Sequence, residues 1–291
     1  MTAPNVYVPN AVKFPSGNTL HQVEGIPFDA GFNPLRVIPA GGTFPGFSGY
    51  HFVDPTITIS TTQIADVLAY LTLDNMAAGS VLTDIDLEYQ ELGNVNVRTD
   101  QTSSDHLSLK ANGHLTVLNS ISAAAGQAAT AEFTIYAISA AAGVAPLIRT
   151  AGTSITGSPV IQSLFTLGPV SVDSTDICVD SWRFDLNPVV RKKQCSGGGY
   201  MEFASVETSA PTLTVTTDDV AAATAGIDTG TAVTTIEFYL RKKTAGGINV
   251  ANGTAQHIKF TGTTASQHPG GPREIMWNIN TWARSTTSAI T

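Results

Sequence analysis

Charge is scarce in this chain of 291 residues: Asp, Glu, Lys and Arg together make up 13%, about half the share of an ordinary soluble domain. Ser, Thr, Ala and Gly fill the difference. Something other than charge must then satisfy the surface. Either neighbouring subunits cover part of it, since interface cores are depleted of charge, or it is a neutral hydroxyl surface like that of secreted modules. Cations are scarcer still, 15 against 23 acidic residues, for a net charge of -8. That argues against nucleic acid as a tightly held partner, because phosphate binding rests on Lys and Arg. It leaves room for a neutral or acidic wall past which DNA slides.

Cysteine is nearly absent. Cys178 and Cys195 make no disulfide framework, and with six scattered histidines they give no zinc pattern. Reduced thiols are the simpler reading, a single bridge between the two the alternative. No apolar run approaches the length of a membrane span, and the opening MTAPNVYVPNAVKF has neither a basic n-region nor an apolar h-region. The expectation is assembly in the cytoplasm, with no membrane partner.

Catalytic signatures are equally thin. Ser104, Asp105 and His106 are sequence neighbours, whereas triad members meet through the fold. Cys195 beside Ser196-Gly197-Gly198-Gly199 reads as a hairpin tip, and Asn252-Gly253-Thr254 as a polar turn. No glycine fingerprint follows a strand and opens a helix. Asp84, Asp86 and Glu88 share a strand face but lack the aromatic platform of a sugar cleft. The chain is therefore read as no enzyme, with no catalytic, metal or cofactor-binding residues.

What the chain does have is zoned. Residues 1–51 hold seven of its 15 prolines (4, 9, 15, 27, 34, 39 and 45), a density that forbids a helix and interrupts a central strand. Tyr7, Phe14, Phe28, Phe32 and Phe44 recur through it, so this extended Pro-rich arm is expected to pack on its own domain or on a neighbour. From 52 to 145 the period turns to two. Asp84-Ile85-Asp86-Leu87-Glu88-Tyr89 alternates acidic and apolar residues, one face for a core and one for water. Asp54–Ser60, Leu107–Lys110, Leu115–Leu118 and Glu132–Ile138 read as further strands, with Asn112-Gly113 as a hairpin turn. Thr62–Leu71 predicts a helix with Ile64, Val67, Leu68 and Leu71 on one face, and Ser122–Ala129 a short helical turn.

Residues 146–163 read as a linker, 164–268 as a second β domain and 269–291 as a C-terminal extension carrying Trp277 and Trp282. Strands are expected at Thr166–Val172, Ile177–Leu186, Tyr200–Val206, Thr212–Thr217, Thr234–Lys242 and His257–Phe260, with a helix start at Asp218-Asp219. Leu115-Thr116-Val117 recurs as Leu213-Thr214-Val215, and Glu132-Phe133 as Glu237-Phe238, at an offset of about 100 residues. The expected fold is mainly β: two tandem β-sandwich or β-barrel-like domains, one short helix each, and the arm.

Arg191-Lys192-Lys193 and Arg241-Lys242-Lys243 hold six of the 15 cations. Either they are solvated loops or they meet acidic patches on an adjoining subunit, where such pairs set orientation more than affinity. With Tyr200, Tyr7 and Phe14 they form the candidate subunit interface, and Asp84, Asp86 and Glu88 the candidate acidic face.

Phe165-Thr166-Leu167-Gly168-Pro169-Val170, the loop 190–200, Pro211-Thr212-Leu213-Thr214-Val215, Ile236–Lys243 and Gly253–Phe260 resemble, in element order, the tube-forming proteins of tailed bacteriophages. The resemblance implies a virion structural protein, homo-oligomeric, assembled in the host cytoplasm among other virion proteins. It would form stacked rings, as a hexamer or as a trimer with pseudo-sixfold symmetry, with DNA only as transient cargo. The loop 190–200 would meet the next ring. A capsid or decoration protein with jelly-roll domains is the alternative within that class. A carbohydrate-binding or hydrolytic β-sandwich is the alternative outside it.

Overall fold

A computed structural model describes residues 6–15, 17–37, 40, 47–71, 84–92, 105–141, 143–155, 164–195, 199–219, 232–243 and 257–288. The fold is mainly β, with antiparallel sheets and, among the described residues, one helix. In chain order the strands begin β1 (Val6–Lys13), β2 (Thr19–Leu20), β3 (Phe28–Asp29), β4 (Phe32–Val37), β5 (Phe47–Val53) and β6 (Thr56–Thr61). The helix α1 (Ile64–Tyr70) leads to β7 (Ile85–Leu92), β8 (His106–Ala111), β9 (Gly113–Ala124), β10 (Thr130–Ile138) and β11 (Leu147–Thr153). Then come β12 (Leu164–Val172), β13 (Thr175–Ile177), β14 (Ser181–Asp185), β15 (Pro188–Lys193), β16 (Phe203–Ser209) and β17 (Thr212–Thr216). The last are β18 (Ala232–Lys243), β19 (His257–Gly271), β20 (Glu274–Asn278) and β21 (Thr281–Thr287).

Local chemistry accounts for these elements. β6 alternates, with Ile57 and Ile59 buried and Thr58 exposed, as β-branched residues on a half-buried strand should. The predicted helix forms one turn shorter, with Ile64, Val67 and Leu68 buried on one face and Asp66 in the first turn. No side chain caps its N-terminus at Gln63; just before it, the Thr61 hydroxyl accepts from the Gln63 N–H and donates to the Gln22 carbonyl. Ser122–Ala129 is not helical: β9 runs through Ala124 and reverses at Gly126, whose φ of 74° suits glycine. The partner helix expected at Asp218-Asp219 lies, beyond Asp219, outside the described residues.

One sheet has the order β11-β8-β7-β1-β2 and another β13-β12-β18-β19-β20-β17-β14-β9-β10-β6-β3, with β21 on β19. Two ribbons, β4-β5 and β15-β16, stand apart as two-stranded sheets. Asn112-Gly113 is not a hairpin turn. β8 and β9 belong to different sheets, and at Asn112 the chain crosses between them, its N–H bonded to Pro146. β1 lies between β2 and β7, so the segment read as an arm enters the core at Val12, Phe14, Leu20 and Ile26. Pro9 is tolerated there because the register skips between Pro9 and Ala11, a bulge at which no ladder N–H is needed. Within the stretch read as a linker, β11 pairs with β8, and within the C-terminal stretch β20 and β21 pair into the large sheet.

A pairing pattern recurs along the chain. The order β2-β1-β7-β8-β11 returns as β13-β12-β18-β19-β21, and β3-β6-β10-β9 as β14-β17-β20-β19, with the long β19 standing for both β8 and β9. Even the irregularities coincide. The skip in β1 opposite Tyr89 and Glu88 matches one in β12 opposite Leu240 and Phe238. The ribbons break register at Asn33/Pro34 and at Val189/Val190. Asn119 in β9 and Gly270 in β19 are each passed over. Phe28-Asp29 and Phe184-Asp185, or Pro55-Thr56-Ile57-Thr58 and Pro211-Thr212-Leu213-Thr214, are 156 positions apart, and His106 and His257 are 151 apart. The offset of about 100 joins positions that are not equivalent: β9 neighbours β10, whereas β20 and β19 separate β17 from β18.

The core follows these layers. Trp182 and Phe184 on β14 meet Phe238 on β18 at 5.1 Å each, and Phe184 meets Trp282 on β21 at 5.3 Å. Earlier in the chain, Phe14 stacks on Tyr70 of α1 at 4.1 Å and meets Phe133 of β10 at 5.9 Å. Such pairs contribute about 0.5–1.5 kcal/mol beyond their buried area.

Candidate functional site

The expected interface residues are placed by β1, the ribbon β15-β16 and the strand β18. On β15 alternate residues face opposite ways, so Val189, Arg191 and Lys193 are exposed while Val190 and Lys192 turn toward the protein. Arg191 pairs with Glu207 across the ribbon at 3.2 Å in full view of solvent, where such a pair contributes about 0–1 kcal/mol. Lys192 is different. Its Nζ lies 2.6 Å from Asp54 Oδ2 and 4.7 Å from the centre of the Tyr136 ring, with the two side chains of the ion pair only 20% and 21% exposed. With Asp29, Phe32 and Phe52 they line an open cleft of about 500 Å³.

Backbone contacts seat the same ribbon. Val53 donates to the Gly199 carbonyl at 2.8 Å and bridges Tyr200 in parallel, while Ser139 donates to Met201 at 2.7 Å. The segment 190–200, read as a projecting loop, is thus in its described part a strand whose base rests on β5 and β10. Residues 196–198 lie outside the described part. Ala204 is buried, and Val190 and Val206 pack against the core.

The ribbon sits beside a ladder that joins the two recurring patterns. β9 pairs with β14 from Ala124 opposite Ser181 to Ser120 opposite Asp185, and the Leu186 N–H continues it to the Asn119 carbonyl. On the inner side of this ladder are Ile121, Trp182 and Phe184, all buried. The other side carries a row in register, Thr130, Ser122, Arg183 and Thr214, in which Ser122 and Thr130 share a hydrogen bond and Arg183 is neutralised by Asp185 at 2.7 Å.

The remaining predicted residues scatter. Arg241, Lys242 and Lys243 close β18, half-buried and paired with Thr166, Phe165 and Leu164 of β12, and the Lys242 N–H donates to His257 Nδ1. Tyr7 is half-buried on β1 opposite Glu91. Phe14, at 1% exposure, lies inside the chain's own core and offers nothing to a neighbour. The acidic strand β7 is also less wet than its alternation implies. Asp84 is exposed and paired with Lys110, which this hydrogen bond holds above the usual lysine range. Glu88 is only 7% exposed and accepts from Asn10, and burial pushes the Asp86 carboxyl upward despite Lys110 and Lys13 nearby.

Sequence reasoning missed Asp54, Tyr136 and the β9-β14 ladder. The repeated Phe-Asp and Pro-Thr-x-Thr signals were present, but a lone Asp after a strand carries no mark of its partner 138 positions on. No protein-family model matches this chain, and no curated protein matches it.

Proposed function

We propose that the chain is a tandem duplication of one β-sandwich and a non-enzymatic structural subunit of a virion. It self-assembles into rings that stack as a tail tube through which DNA passes. The supporting observation is the ladder between β9 and β14, which makes one run of β3-β6-β10-β9 and β14-β17-β20-β19. Two equivalent four-stranded units stand side by side, and a head-to-tail contact of that kind is what generates a ring when the rotation closes. Three chains would present six units, the pseudo-sixfold arrangement that the resemblance implies.

The hydroxyl row on the outer side of the ladder suits a conduit. Thr130, Ser122 and Thr214 offer no charge, and the row's cation is already paired, so DNA would release few counterions there and move without being held. The ribbon, exposing Val189, Arg191, Lys193 and Phe203, is the part suited to meeting a further ring or another virion protein. Assembly would take place in the host cytoplasm.

Electron microscopy of purified protein tests the reading. Rings or tubes are the expected outcome. Closed shells would move the chain to the capsid class, and isolated chains that deplete onto polysaccharide would refute a structural role.

A further inference from the structure

Resting on the duplicated-domain reading above, we infer that the contact between chains repeats the contact within the chain. The outer edge of β3 in one copy of this chain pairs with the end of β19 in a second copy, and the ribbon β4-β5 lies over that second copy as β15-β16 lies over β5 and β10. Within the chain, Asp185 lies opposite Ser120 and the Leu186 N–H donates to the Asn119 carbonyl. The equivalents of these residues are Asp29-Ala30 and Gly270-Gly271, since β3 pairs with β6 as β14 pairs with β17, and β19 skips Gly270 as β9 skips Asn119. Asp29 of one copy therefore falls opposite Gly271 of the other. Among the described residues no strand pairs with the outer edge of β3, and an open strand edge is a template for a second chain.

The two contacts are unequal. Beyond Ser120, β9 runs four more residues along β14, whereas β19 ends at Gly271. Lys192 has Arg36 as its counterpart, in the same register of the ribbon: Lys192 opposite Ala204, Arg36 opposite Ser48. Its partners differ, however, because the positions of Asp54 and Tyr136 are taken in the second unit by Ala210 and Asn278, both exposed. The contact between chains thus lacks the Lys192–Asp54 ion pair and is the weaker of the two. Assemblies should come apart into intact chains.

The test uses chains with Cys178→Ser and Cys195→Ser. One preparation carries Asp29→Cys and the other Gly271→Cys, where a side chain meets nothing within 4 Å. Paired strand positions lie within disulfide reach. On oxidation the mixture should give a reducible dimer containing one of each chain, and neither preparation alone should. Assembled particles without that cross-link overturn the contact and leave the tube reading standing; chains that never assemble overturn both. As a second measurement, Ala210→Asp should give Arg36 of the neighbour a carboxylate and lower the dissociation constant about threefold. The gain should vanish with Arg36→Ala. An unchanged constant for Ala210→Asp would count against the placement of the ribbon.

Discussion

Replacing Lys192 by Met, which keeps most of the stem and removes the charge, leaves Asp54 alone in its place. At 2.6 Å and an effective dielectric near 20, the Coulomb attraction is about 6 kcal/mol, and desolvation of the two groups offsets most of it. The net loss follows from what stays behind. Asp54 Oδ1 already lacks a protein partner and is shut away from solvent, so stripping Oδ2 of its ammonium should cost about 2–3 kcal/mol. In urea, with a slope of about 3 kcal/mol/M for a chain of this size, the midpoint should fall by about 0.7–1 M. Asp54→Asn alone should cost less than the Met variant, and the double variant should recover at least about 1 kcal/mol relative to the sum of the singles. Trypsin should also cut sooner at Arg191 and Lys193 as the ribbon loosens. Additive costs, with a coupling below about 0.3 kcal/mol, would mean that the pair is an ordinary surface contact and that the ribbon is held by its backbone bonds alone.

The buried hydroxyls of Thr61 and Thr217 each donate to a carbonyl at 2.6 Å, of Gln22 and Cys178, and accept from an N–H two residues on. Thr61→Val and Thr217→Val should therefore each destabilise by about 2 kcal/mol, equally and additively by urea denaturation. Burial lowers the His114 pKa to about 4. The unfolded chain binds that proton more readily, so the stability this neutral histidine contributes is whole above pH 6.5 and is lost as pH falls toward 4; it amounts to about 3 kcal/mol. His114→Gln should flatten the acid limb of a thermal-melt series. Gly31 has φ of 62° and a Cβ there would run into the Asp54 carbonyl, whereas Gly126 at 74° faces open space. Gly31→Ala should cost at least about 3 kcal/mol and Gly126→Ala about 1 kcal/mol, read from melting temperatures.

Much of this architecture was legible before the structure. The alternating runs became strands and the Ile64-Val67-Leu68 stripe became the helix, because period and burial act locally on both. The segment read as an arm does pack on its own domain, but as the strand β1: proline density marks where ladder bonds are missing, and a bulge beside Pro9 lets the strand pair all the same. Asn112-Gly113 looked like a hairpin because the turn signal says that the chain bends, not which sheet it joins next. The repeat was sensed at the wrong offset: a three-residue match between β9 and β17 outweighed the longer correspondence of 28–61 with 184–217, in which few residues are identical. Lys192 was chosen for its charge and matters through a partner that only folding brings near.

The most direct test of the account is the mass and image of the assembled particle. Native mass measurement with negative-stain microscopy should give closed rings of three chains with six lobes, stacking into tubes as concentration rises. A chain that remains single at high concentration, or particles with an odd number of lobes, would contradict the duplicated, ring-forming subunit described above.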